Sequence, residues 1–167
     1  MQYKTNRLVV KPFSPEDETD AIAIFTSERV KKTYMLPDFS DQREAAALFN
    51  RLQKLSVTPE RYVCGIYYDN PLIGLINETD VQTDTIELGY ALHPDFWGNG
   101  FATEALTGAI DWLFCEGFST VLCGAFSENR ASMRVMEKSG MHLTAQQEEI
   151  EYRGKLHQCI YYSISKA

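Results

Sequence analysis

Apolar and polar residues alternate from Arg7 to Phe13 (RLVVKPF), which predicts an N-terminal strand. Pro12 suits its end, because proline cannot donate to a strand ladder. Helical spacing follows over Glu16–Ser27 and Asp41–Leu55, and the aromatic, proline-bearing segment KKTYMLPDFS joins the two stretches. Strand patterns return in RYVCGIYY and PLIGLIN, with Asp69, Asn70 and Pro71 forming the hairpin turn between them. TIELGYAL, Thr85–Leu92, is the fourth strand: Ile86, Leu88, Tyr90 and Leu92 share one face, Glu87 and Gly89 the other, and Pro94 ends it. The strongest periodicity belongs to Ala102, Ala105, Leu106, Ala109, Ile110, Leu113 and Phe114, a helix buried on one face and capped by Gly117. STVLCGAF reads as a buried strand, NRASMRVMEKSG as a short helix ending at Gly140, and the remainder as two strands about a turn at Arg153, Gly154 and Lys155. The expected order, β-α-α-β-β-β-α-β-α-β-β, is an α/β (α+β) arrangement: a mixed sheet flanked by helices.

Composition narrows this picture. A chain of 167 residues that is 44% hydrophobic can fill one core, and it contains no repeat, low-complexity tract or linker, so residues 1–167 are expected to form one domain. A net charge of -7 with no run of Lys or Arg excludes duplex nucleic acid as the main partner and leans toward a cationic or amine substrate. MQYKTNRLVV lacks an apolar signal core and no stretch has the length of a membrane span, so a soluble cytoplasmic protein without membrane partners is expected. Cys64, Cys115, Cys123 and Cys159 include no CxxC pair, and His93, His142 and His157 share no ligand spacing, so no metal is expected.

The most specific chemistry lies in HPDFWGNGFATEAL, where Gly98 and Gly100 fall just before a helix. Glycines there permit close backbone approach, and the helix start adds unpaired N–H groups and the positive end of its dipole. That is an anion cradle, although a ligand-free strand-to-helix turn has the same local pattern. A dinucleotide fingerprint would need glycine where Thr103 stands, and no GK[ST] of a P-loop is present.

WGNGFA, Trp97–Ala102, resembles the acetyl-CoA signature of the GNAT N-acetyltransferases, with Gly100 and Ala102 on its two small positions. ELGYALHPDFWGNGFATEAL and ENRASMRVMEKSGM resemble the branch that contains the ribosomal-protein alanine N-acetyltransferases. Trp97 replaces the usual Arg or Gln, Met141 stands where Phe is usual, and Gln158 where many relatives have Asp. The resemblance implies a mostly antiparallel sheet of about seven strands with about four helices, splayed between the fourth and fifth strands. It also implies acetyl-CoA as cofactor, with the pyrophosphate on Trp97, Gly98, Asn99, Gly100, Phe101, Ala102 and Thr103 and the pantetheine arm paired with Ala91 and Leu92.

Under the same resemblance Asn129 contacts the pantetheine or a nearby water, and Ser132, one turn on, assists the leaving sulfur. On residue type alone they are equally a helix N-cap and a solvated helix serine. Glu87 is the expected proton acceptor for the amine, its pKa raised by burial, with a plain surface strand carboxylate as the alternative. Tyr34, with Met35 and Phe39, is expected to shape the acceptor pocket, or else to anchor its loop to the core. The acceptor is then a primary amine, on a protein N-terminus, a polyamine or another small molecule, and the protein a monomer or homodimer. An acyl-CoA-binding regulatory module without turnover is the alternative.

Overall fold

Asp69 and Asn70 both adopt positive φ, 50° and 95°, the left-handed pair that turns one strand tightly back on the next. The hairpin they close sits inside an eight-stranded sheet with the spatial order β1-β2-β3-β4-β5-β6-β8-β7. The strands are β1 (Tyr3–Lys4), β2 (Leu8–Lys11), β3 (Val63–Tyr68), β4 (Leu72–Val81), β5 (Thr85–Leu92), β6 (Thr120–Phe126), β7 (His142–Tyr152) and β8 (Lys155–Ser165). The helices are α1 (Glu18–Thr26), α2 (Glu28–Lys31), α3 (Gln42–Ser56), α4 (Phe101–Glu116) and α5 (Arg130–Lys138). This computed structural model describes residues 1–166.

Strand alternation divides the core between the two faces of the sheet. On one face Ile86, Leu88 and Leu92 pack with Phe101, Ala105, Leu106, Ala109, Ile110 and Leu113 of α4 and Met136 of α5. On the other, Leu75, Ala91, Val63 and Tyr67 pack against Ile24 and Phe25 of α1 and Phe49 of α3. Leu106 is completely buried, and truncating such a side chain to alanine costs about 2–5 kcal/mol.

The sheet is antiparallel except where β5 meets β6, and there the ladder is short. Thr85 pairs with Thr120, Ile86 with Val121 and Glu87 with Leu122. Beyond Glu87 each strand continues with its other neighbour, β5 with β4 as far as Leu92 and β6 with β8 as far as Phe126. The two strands therefore part company in mid-sheet, at the fourth and fifth strands of the sequence pattern.

The sequence pattern misses one strand and one helix. β1 is two residues long, too short to show alternation, and is held by tertiary contacts: Tyr3 pairs with Val10, and its hydroxyl donates to the Ala105 carbonyl at 2.5 Å. α2 is a four-residue helix whose cap, Ser27, accepts from the Val30 N–H and breaks it from α1. The Glu16–Ser27 stretch opens as a 3-10 turn, Pro15–Asp17, before α1 begins. The loop from Tyr34 to Asp38 is pinned by the far hairpin. Tyr152 of β7 accepts from the Leu36 N–H and donates to the Leu36 carbonyl, and Arg153 bridges Asp38 and Glu28.

Candidate active site

Glu87 and Tyr90 lie an odd three residues apart on β5 and so face opposite sides of the sheet. Glu87 looks toward the side of α1–α3, Tyr90 toward the side of α4 and α5. The gap between β5 and β6 opens just past Glu87 and connects the two sides.

On the α4 side, the chain passes from β5 through a 3-10 turn, Pro94–Phe96, into the glycine segment. Gly98 and Gly100 both have φ of +78°. A Cβ on Gly98 would meet nothing within 4 Å, and one on Gly100 only the tip of Arg7 at 3.6 Å. Glycine is therefore demanded here by backbone conformation rather than by crowding. The first helical hydrogen bond runs from the Glu104 N–H to the Gly100 carbonyl. The six preceding N–H groups, Gly98 through Thr103, find no acceptor among the described residues. Unpaired amides at the positive end of a 16-residue helix suit an anion, so the local structure fits a diphosphate. Trp97 flanks the turn: its indole N–H donates to the Leu92 carbonyl at 2.8 Å, and the Arg29 guanidinium stacks 4.7 Å from its ring. Asn99 braces the turn from within, donating to the carbonyls of Phe96 and Trp97, and Arg7 donates to the Asn99 carbonyl.

The open edge of β5 can be read from its ladder. The His93 N–H donates to the Ile73 carbonyl at 2.8 Å, and the register pairs Ala91 with Leu75. By antiparallel alternation the backbone groups of Ala91 are committed to β4, and those of Tyr90 and Leu92 point toward the gap. The backbone of Ala91 is therefore not free for the expected pairing with a ligand, whereas that of Tyr90 is. Leu92 keeps its orientation, but its carbonyl is already taken by Trp97.

Across the gap, Asn129 caps α5, its Oδ1 accepting from the Ser132 N–H at 3.1 Å. The cap reading of Asn129 holds here, and its amide N–H groups are free. The Ser132 hydroxyl lies 2.7 Å from the Tyr90 hydroxyl, which also reaches the Ser132 carbonyl at 3.3 Å. Burial raises the Tyr90 pKa, so the phenol is neutral and available as a donor. Its place in the apolar alternation of β5 is the sole mark it leaves in the sequence, and that mark speaks only of core.

On the opposite side, Glu87 lines a cavity of about 320 Å³ with Tyr34, Met35, Asn77, Thr79, Phe126, Glu148 and Tyr161 among its walls. Thr79 donates to Glu87 Oε1 at 2.8 Å. Burial nevertheless raises the Glu87 pKa, the Thr79 hydrogen bond opposes it, and Glu148 and Asp80 add to the rise. Tyr34 is half-buried and donates to Asn77 Oδ1, and the Tyr161 hydroxyl donates to Glu148. Of the three loop residues expected at the pocket, Tyr34 and Met35 line it. Phe39 instead packs on the α1–α3 side of the core, with Lys31 5.2 Å from its ring centre.

The cysteines offer no ready nucleophile at the gap. Burial pushes the Cys64 thiol up to about 11, and raises Cys123 and Cys159 as well. Cys159 lines the cavity; exposed Cys115 lies near the C-terminal end of α4. No cluster of potential metal ligands occurs among the described residues, nor is any described helix long and apolar enough to cross a membrane.

Residues 7–142 match the family model of the acetyltransferase (GNAT) domain. The chain belongs to the GNAT family of N-acetyltransferases. It is 26% identical over 142 residues to the uncharacterized N-acetyltransferase YoaA of Bacillus subtilis (strain 168), covering 82% of this chain and 80% of the relative. Its fold superposes on that of a GNAT-family acetyltransferase from Bacillus anthracis with a TM-score of 0.85 at 22% identity, covering 99% of this chain and 98% of the other. RimL, a ribosomal alpha-N-protein acetyltransferase in complex with coenzyme A, gives a TM-score of 0.86 at 15% identity, with 99% and 98% of the two chains covered.

Proposed function

We propose that this protein transfers the acetyl group of acetyl-CoA to a primary amine by direct attack of the amine on the thioester. The observation that carries the reading is the placement of Glu87 and Ser132 on opposite sides of one sheet, joined by the gap where β5 and β6 separate. A donor held on the α4 side and an acceptor held on the α1–α3 side would meet in that gap.

Bound acetyl-CoA would supply an activated acyl group and a thiolate leaving group; the chain's own residues would do the rest. The N–H groups of Gly98 to Thr103 would hold the diphosphate, with Trp97 bracing the turn. The free backbone edge at Tyr90, with Leu92 beside it, would steer the peptide-like arm into the gap, and the Asn129 amide would steady it from the other side. Glu87 would accept the amine proton, since a carboxylate whose pKa is raised toward the working range is a better base at little loss of its ionised form. Either hydroxyl of the Tyr90–Ser132 pair can donate to the other; with Tyr90 as donor, the serine proton would be free to point at the developing negative charge on sulfur. Tyr34 would shape the acceptor side. The raised thiol pKa values speak against an acyl-cysteine relay and for direct transfer.

The reading is tested by release of free CoA from acetyl-CoA with a panel of primary amines and N-terminal peptides. Amine-dependent release is expected. Tight CoA binding with no release for any acceptor would leave a binding module without turnover.

A further inference from the structure

A second cavity, of about 180 Å³, adjoins the one that holds Glu87. The two meet at Tyr34, Met35 and Asn77, which line both, so the hydrogen-bonded Tyr34–Asn77 pair lies at their junction. The chemistry on its two sides differs. The first cavity holds two carboxylates, Glu87 and Glu148, and no cation. The second is walled by Leu36, Pro37, Leu48, Leu52 and Leu75, and its sole charged group is Arg51. Leu48, Arg51 and Leu52 are spaced to share one face of α3, so Arg51 belongs to the same wall as the leucines. Arg51 is exposed and makes no ion pair with any described acidic residue.

An apolar cavity of about 150 Å³ takes a benzene-sized group. This one is slightly larger and has Arg51 in its wall, and an unpaired guanidinium matches a carboxylate in shape as well as in charge. We infer that the second cavity is the subsite for the far end of the acceptor, and that the acceptor is a small primary amine whose ring-sized apolar body ends in a carboxylate. The amine would lie beside Glu87, the body would cross at Tyr34 and Asn77 among the leucines, and the carboxylate would meet Arg51. The inference rests on the acetyltransferase reading, and it selects among amines rather than assuming one.

Three probes share one body and differ at the distal end: benzylamine, 4-(aminomethyl)benzoate and 4-(aminomethyl)benzylamine. With the wild-type protein, CoA release is expected to show a KM about five-fold lower for the carboxylate probe than for benzylamine. Arg51→Gln should abolish that difference by raising the KM of the carboxylate probe to that of benzylamine. Leu52→Phe, which fills the cavity without touching charge, should raise KM for both probes several-fold and leave the CoA-induced rise in Tm as in the wild type. Equal KM values for carboxylate probe and benzylamine, a preference for the distal ammonium, or an Arg51→Gln variant that keeps the carboxylate preference would each overturn the subsite. Absence of release with every amine, including the peptide panel, would instead sink the transferase reading itself.

Discussion

The two sides of the sheet are built by different means. The α4 side is mostly backbone: six free N–H groups in one continuous segment, a β5 edge beside them and a capped helix opposite. The α1–α3 side, proposed to receive the acceptor, is mostly side chains, brought from the loop before α3, from β4 and β5, and from the far hairpin of β7 and β8. Backbone sites tolerate sequence change wherever conformation is preserved, whereas a side-chain site changes with each substitution. A fold can thus keep one donor site while its acceptor site diverges.

Substitutions on the two sides should therefore separate cleanly, beginning with the largest effect. Gly100→Asp puts a negative charge into the amide cradle at a φ of +78° and should weaken CoA binding by at least about 10²-fold, read as loss of the CoA-induced rise in Tm. Gly100→Asn adds no charge at a conformation asparagine tolerates, so it should retain most of the binding. A folded Gly100→Asp variant with wild-type affinity would remove the cradle from the donor site.

Glu87→Gln comes next, with kcat/KM expected to fall about 10²-fold at unchanged CoA affinity. In the wild type the rate should rise with pH as Glu87 ionises, at a pKa above its ordinary 4.5, and the variant should lose that limb. Stability carries the opposite sign. A carboxyl whose folded pKa is raised binds its proton more readily folded than unfolded, so its stabilising contribution is present at low pH and lost as pH rises from 4.5 through the raised value. Glu87→Gln should accordingly raise Tm at neutral pH.

Ser132→Ala should lower kcat by about 10-fold or somewhat more with little change in CoA affinity, the loss of one hydrogen bond to a developing charge. If Tyr90 acts through Ser132, adding Tyr90→Phe to Ser132→Ala should cost almost nothing further, whereas Tyr90→Phe alone should slow turnover a few-fold. Additive losses would separate the two hydroxyls. The smallest effect belongs to the acceptor wall: Tyr34→Ala should raise the acceptor KM about two- to three-fold and leave CoA binding in place. Loss of CoA affinity in that variant would mean the two sides are not independent.

The difference in construction also explains what could be read from the sequence. Alternation in TIELGYAL assigned Glu87 and Gly89 to one face, and the glycine turn marked the start of α4, because both are local patterns with fixed periods. The hairpin at Asp69 and Asn70 was legible for the same reason. β1 was not, since two residues have no period and its place depends on Tyr3 reaching Ala105, more than 100 residues away. Strand direction was legible at Ala91 but ladder phase was not: which backbone groups face the gap depends on the partner strand, and His93 to Ile73 decides it. Tyr90 looked like core because its ring is core, and only the fold brings its hydroxyl to Ser132. Asn77, Glu148 and Tyr161 gave no local signal at all, because the cavity they line is assembled from separate strands.

Direct transfer through the gap is tested most simply by initial velocities over a grid of acetyl-CoA and amine concentrations. If both reactants must occupy opposite sides of the sheet together, double-reciprocal lines will intersect, and acetyl-CoA alone will leave the protein unmodified. Parallel lines, together with a protein that becomes acetylated before any amine is added, would place the acetyl group on the chain itself and contradict the account.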